Sequence, residues 1–163
     1  RGIGIGNPSI DDANKTKGIL HAYDIVCSNN VILPGPDSGI EIAWAKNVKI
    51  YNNTIWRKDP EGRGIRPIMQ LESVEAVNNL VRGSIEAQKG FAERSNYIGR
   101  MEGYFRDTGV ADLHLTIDAE KAIAQGTPLD EVKEDAAGRP RGAPPCLGAF
   151  EFIPEKKIPA KSP

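Results

Sequence analysis

A motif of apolar strand, paired asparagine and apolar strand occurs three times in this chain and constrains its fold more than any other feature. It reads Ile25-Val26-Cys27-Ser28-Asn29-Asn30-Val31-Ile32, then Val48-Lys49-Ile50-Tyr51-Asn52-Asn53-Thr54-Ile55, then Val74-Glu75-Ala76-Val77-Asn78-Asn79-Leu80-Val81. From Asn30 to Asn53 is 23 positions, and from Asn53 to Asn79 is 26. A motif returning at that interval marks a repeat architecture, in which each unit buries its apolar face only against its neighbours. A reduced fourth copy, Ser95-Asn96-Tyr97-Ile98, follows 17 positions after Asn79, as a final repeat with a shortened return loop would.

Each repeat opens on a glycine and an alternating strand: Gly2-Ile3-Gly4-Ile5, Gly39-Ile40-Glu41-Ile42 and Gly64-Ile65-Arg66-Pro67-Ile68. Gly39 and Gly64 are 25 apart, close to the asparagine period. The longer step from Gly2 to Gly39 contains a polar insertion over residues 7–18. A complete repeat then has a first strand at 39–43, a turn at 44–47, a second strand at 48–51, the Asn52-Asn53 corner, a third strand at 54–56 and a polar return loop at 57–63. Strands this short are not stable alone; stacked repeat on repeat they give three parallel sheets around an aliphatic interior. Asparagine suits the corner because its amide both donates and accepts, so equivalent asparagines can bond in a ladder. It also tolerates the left-handed backbone of a sharp turn.

Composition fits this reading. At 163 residues the chain is one domain by length, with ordinary hydrophobic (39%) and charged (26%) content. A net charge of -1 lacks the basic excess of a nucleic-acid binder, and no apolar run reaches the roughly 18 residues of a membrane span. Cys27 and Cys146 are too few for a disulfide framework, and Cys27 falls at an inward strand position. A rival, mixed α/β reading rests on the helical spacing of Val74, Val77, Val81 and Ile85 and on helix formers across 84–94. Residues 118–125 could form a short helix, with Asp118 as N-cap and Gly126 just beyond its end.

The repeat resembles that of the right-handed parallel β-helix of pectate-lyase-like proteins. The tail strengthens the resemblance: Asp112-Leu113-His114-Leu115, then Ala122-Ile123 and Gly126, then Asp135 with Gly138-Arg139-Pro140-Arg141, then Leu147-Gly148-Ala149-Phe150-Glu151 are similar to the closing segment of many secreted bacterial β-helix proteins. Glu120-Lys121 replaces the usual Ser-Pro there, and Cys146 stands where aspartate is common. The resemblance implies an all-β, right-handed parallel β-helix of about four coils over residues 1–99, an irregular C-terminal cap over 100–152 packed on it, and an exposed tail over 153–163. It also implies a secreted or cell-surface, bacterial-type protein.

In such enzymes the groove lies along the outside of the first sheet, where this chain places Gly4, Glu41 and Arg66, with Glu41 and Arg66 one coil apart. Elimination across a uronic acid needs its carboxylate neutralised by Ca²⁺ or a basic side chain, and a base to remove the adjacent proton. Arg66, Lys58 and His21 are the candidates for catalysis, and Trp44, Arg57, Arg63 and Gln70 for substrate binding. Glu41, Asp37 and Asp59 are the candidate Ca²⁺ ligands. Structural readings stand beside these: an exposed ion pair for Glu41 and Arg66, a solvated loop for residues 57–63, a plain loop histidine for His21, and packing for Trp44. Hydrolysis would need two carboxylates across the scissile bond, and Glu41 is the only one on that face. The expected function is therefore action on an acidic polysaccharide as a lyase, with a non-catalytic glycan-binding or adhesion module as the alternative. The chain also starts within a strand pattern, without the capping element that covers natural repeat ends. The remainder of the same β-helix, or a second chain, is the partner expected at that end.

Overall fold

The structure is a computed structural model that describes residues 1–8 and 19–154. The polar insertion at 7–18 and the tail at 153–163 therefore fall largely outside the described residues. Among them the chain is all-β. One sheet contains β1 (Ile3–Ile5), β2 (Ala22–Ser28), β4 (Ile40–Tyr51), β6 (Arg63–Val77), β8 (Ser84–Ile85) and β9 (Phe91–Arg94). A second contains β3 (Val31–Ile32), β5 (Thr54–Ile55), β7 (Leu80–Val81) and β10 (Tyr97–Ile98). Every pairing in these two sheets is parallel. A separate antiparallel pair joins β11 (Phe105–Asp107) to β12 (Asp112–Leu115).

The registers locate the irregularities in the repeat. Glu41 pairs with Arg66 and Ala43 with Ile68, offsets of 25, whereas Ala45 pairs with Leu71 and Tyr51 with Val77, offsets of 26. One extra residue therefore enters β6 as a bulge opposite Trp44, which reconciles a glycine spacing of 25 with an asparagine spacing of 26. Ile3 pairs with Ile40 and Ala22 with Ala45, offsets of 37 and 23, so 37 − 23 = 14 extra residues lie between Ile5 and Ala22.

Two expectations are corrected here. First and second strands of a repeat are continuous in β4 and β6, so there are two large sheets and not three. The chain turns at single residues of positive φ: Asp24, Asn47, Ser73 and Gly90 form one column of bends in the first sheet, and Asn29, Asn52, Asn78 and Ser95 another at the corner between the two sheets. A one-residue left-handed bend lets pairing resume at once, so no separate turn is needed. The second correction concerns helices. Residues 118–125 form turns, with the Ala122 and Ile123 amides both donating to the Ala119 carbonyl, and residues 84–94 form β8 and β9.

The paired asparagines divide their labour. The second of each pair points inward: Asn53 Oδ1 accepts from Asn30 N (3.0 Å) and Nδ2 (2.9 Å), Asn79 Oδ1 accepts from Asn53 N and Nδ2 (2.9 Å each), and Asn96 Oδ1 accepts from Asn79 N (2.8 Å) and Nδ2 (2.9 Å). The other Nδ2 hydrogens go to strand carbonyls, Asn53 to Cys27 and Asn79 to Ile50. Asn53 and Asn79 are fully buried, next to a core of Ile40, Ile42, Val48, Ile50, Ile55, Ile65 and Val74. Cys27 belongs to that core, and burial pushes its thiol up to about 11.

The first asparagine of each pair faces the C-terminal segment. Asn29 donates to the Glu134 carbonyl and accepts from Arg141, Asn52 donates to the Cys146 carbonyl, and Asn78 donates to the Thr127 carbonyl while accepting from its N–H. Residues 126–149 thus run along the side of the repeats at the asparagine corner. The remainder of the segment packs Met101, Tyr104, Phe105, Leu113, Leu115 and Leu147 against Leu80, Val31, Trp56 and Tyr97. The segment expected to cap the repeats and pack on them lies along their side as a strap. His114 stacks on Phe150 at 3.9 Å and bonds Asp112, a packing role.

Asp135 and Arg141 tie the strap together. Asp135 accepts from the backbone N–H of Ala137, Arg139 and Glu151. Burial raises its carboxyl, but these three donors and the Arg139 charge outweigh that and hold it below the ordinary range. Arg141 pairs with Glu151 at 2.9 Å, with both side chains largely buried.

Two predictions follow from these contacts. Asn53→Ala should lose about 3 kcal/mol, because it strands buried partners on both neighbouring repeats at roughly 1–3 kcal/mol per unsatisfied group; urea denaturation measures it. Asp135 has a folded pKa below its unfolded value, so its contribution is complete near neutrality, declines below about pH 5 and is gone once pH has passed through the depressed folded value. Melting curves from pH 7 to pH 3 should therefore fall less steeply for Asp135→Asn than for the parent chain.

Candidate functional site

The outer face of the first strands is built by alternation. In β4 and β6, Ile40, Ile42 and Ile65 point into the core and are fully buried, so Glu41 and Arg66 are turned outward in register with Gly4 of β1. Arg66 Nη1 donates to Glu41 Oε2 at 3.0 Å. Arg1 Nη1 lies 2.7 Å from Glu41 Oε1, a contact ion pair off the line a hydrogen bond needs, and Arg1 also approaches Asp37 at 3.9 Å. Glu86, next to Ile85 of β8, receives Arg63 at 3.1 Å and Arg66 at 3.8 Å. The result is an alternating row across the strands: Asp37, Arg1, Glu41, Arg66, Glu86, Arg63. Gly4 leaves room for it, since a Cβ there would sit 3.2 Å from the Arg1 side chain.

Glu41 is only 2% exposed, which corrects the expectation of a solvent-exposed pair: the two arginines cover it. Covering has an electrostatic consequence. A carboxylate held on both oxygens by guanidiniums is a poor cation ligand, Asp37 faces Arg1, and Asp59 accepts the Glu61 N–H in an exposed loop. Among the described residues no group of three or more His, Cys, Asp or Glu side chains gathers to hold a metal. In this structure the candidate Ca²⁺ ligands Glu41, Asp37 and Asp59 are thus each engaged by other groups of the chain.

The remaining candidates are dispersed. Arg57 is buried, donating to the carbonyls of Arg63 (3.1 Å) and Pro36 (3.3 Å), so its guanidinium braces the return loop and is withheld from a ligand. Trp44 is buried against Ala43 and Ile68 at φ 50°, so its ring is packed and offers no platform for a sugar. Gln70 is exposed and donates to Glu72. His21 and Lys58 have exposed side chains; the His21 N–H bonds the Trp44 carbonyl, and the Lys58 carbonyl accepts from Arg82.

Sequence reasoning missed Arg1 and Glu86, which complete the row, and the pair Arg82 and Trp56. Arg82 lies over the Trp56 ring at 4.5 Å and donates to the carbonyls of Arg57 and Lys58. Trp56 borders a concavity of about 420 Å³ with Leu33, Pro34, Pro36, Lys58 and Thr108. A signal for Glu86 was present: Ile85-Glu86 repeats Ile40-Glu41 and Ile65-Arg66 at a shortened interval. Comparisons with models of protein families, with characterised proteins and with solved structures find nothing that matches this chain.

Arg66→Ala should destabilise the chain by about 2 kcal/mol. This is less than the roughly 3–5 kcal/mol of a fully buried pair, because Arg1 still faces Glu41. The double variant Arg66→Ala, Glu41→Leu should recover most of that loss, since no uncompensated carboxylate remains. Chemical denaturation of the three proteins checks both.

Proposed function

We propose that the chain forms a right-handed parallel β-helix, and that this β-helix acts on acidic polysaccharide, outside the cell or at its surface, by β-elimination. Support for the fold comes from the columns of equivalent residues: the inward asparagines and both columns of left-handed bends recur at 23, 26 and 17, and the inward isoleucines Ile3, Ile40 and Ile65 stay in register at 37 and 25. The observation that carries the functional reading is the row of Arg1, Arg66 and Arg63 interleaved with Glu41 and Glu86 across the outer face of the first strands. Neighbouring strands are about 4.8 Å apart, so a polyuronate laid across β1, β4 and β6 spans from Arg1, past Glu41, to Arg66 and Arg63 of β6. Each sugar carboxylate would compete with Glu41 or Glu86 for a guanidinium.

In that reading Arg66 neutralises a uronate carboxylate, which makes the hydrogen on the adjacent carbon acidic. Exposed Lys58 and His21 are the side chains left to accept that proton. The released electron pair forms the new carbon–carbon double bond and expels the glycosidic oxygen, which takes up a proton. No metal is assigned a role. A second reading, a glycan-binding or adhesion module without catalysis, draws on a specific observation: the row neutralises itself, with Glu41 held on both oxygens.

The test is incubation of the full chain with alginate, pectate and related polyuronates, following absorbance of the unsaturated product alongside a binding measurement. Elimination that falls at least tenfold in Arg66→Ala supports the lyase. Binding without product selects the second reading, and neither product nor binding overturns both.

A further inference from the structure

The two ends of the stacked strands are chemically different. At the end formed by β8, β9 and β10 the ladder is closed. The Asn96 Nδ2 that would reach a next repeat instead donates to Glu93 Oε2 at 3.3 Å. Glu93 also stands in the inward column of Cys27, Ile50 and Ala76, so a charge occupies the mouth of the interior. An inward charge on an edge strand is a recognised block to further strand pairing.

Nothing of that kind is found at the other end among the described residues. The edges of β1 and β2 frame an open concavity of about 720 Å³ lined by Ile3, Ile5, Ile25, Cys27 and, at the corner before β3, Asn30. Hydrogen-bonding groups there are unfilled in a definite pattern. Thr54, Leu80 and Tyr97 each donate their N–H to the asparagine carbonyl of the repeat before, and Trp56, Arg82 and Gly99 donate to the strand before. Val31 and Leu33 hold the equivalent positions at this edge and have no strand before them among the described residues. Asn30 Oδ1 likewise lacks the two donors that Asn53, Asn79 and Asn96 each receive.

We propose that this face is a docking surface for one further strand–asparagine–strand segment of polypeptide, running parallel to β2 and β3 with its asparagine N–H and Nδ2 on Asn30 Oδ1. The polarity of the ladder chooses that occupant over a second copy of this chain. Two such faces head to head would oppose acceptor to acceptor at Asn30, and head to tail the inward Glu93, which already holds the Asn96 Nδ2, would meet the aliphatic interior. Isoleucine or valine at the inward positions would continue the aliphatic interior, and the arriving carbonyls would satisfy Val31 and Leu33. The inference rests on the strand registers and is independent of any activity on polysaccharide.

The probe is a terminally blocked peptide of residues 45–56, which copies the segment that already stacks beneath β2 and β3. NMR-detected amide exchange of the full chain should show fast exchange at Val31 and Leu33, slowed at least tenfold by saturating peptide. The same peptide with Asn53→Ala should bind at least tenfold more weakly, since it lacks the ladder donor. Three results would overturn the proposal: no slowing at millimolar peptide, equal binding by the alanine peptide, or full protection of both amides in the free chain. In the last case the face is already covered, and light scattering would tell a second copy from the chain's own residues.

Discussion

The buried asparagine row holds the rest of the structure in place. A parallel strand of two residues cannot define its own register, and β3, β5, β7 and β10 are each that short. What keeps them aligned is a side chain that must accept two hydrogens from one neighbour and donate to the other, in a site where an unmet polar group costs on the order of 1–3 kcal/mol. A slip by one residue would bring Asn52 or Asn78 to the inside and remove their bonds to the C-terminal strap. Register, corner geometry and strap attachment are therefore one constraint expressed through pairs of adjacent amides.

The same constraint directs where chemistry is possible. Corner residues are committed to structure, and so are Arg57, Trp44 and Arg141, each buried and braced. The outer face of β4 and β6 is left, because strict alternation there turns every second side chain away from the aliphatic interior. Its charges alternate in sign, so the face is held in order by its own ion pairs.

Much of the architecture was legible from spacing, because a two-residue period in strands and a recurring interval between repeats leave little freedom. Ile40 with Ile65 and Asn53 with Asn79 could be paired before any coordinates. The column of bends at Asp24, Asn47, Ser73 and Gly90 could also have been read, since it keeps the 23, 26 and 17 spacing in residues that tolerate positive φ. Burial was not legible. Arg57 sits in a loop of charges that reads as solvated, yet it is 4% exposed because two carbonyls fold over its guanidinium. For Trp44 the sequence left packing and sugar stacking both open, and the structure buries it against Ala43 and Ile68.

By itself the sequence determined the repeat, its parallel pairing, the inward aliphatic column, the asparagine ladder at the corner and the outward positions of Glu41 and Arg66. Those follow from local alternation and interval, which every repeat states again. Only the tertiary structure decided which asparagine of each pair faces inward, that Arg1 and Glu86 complete the charged row, and that residues 126–149 lie along the side of the stack and not over its end. These depend on contacts between residues up to 112 positions apart, such as Arg141 with Asn29. No periodic signal encodes such a contact, because it is made once.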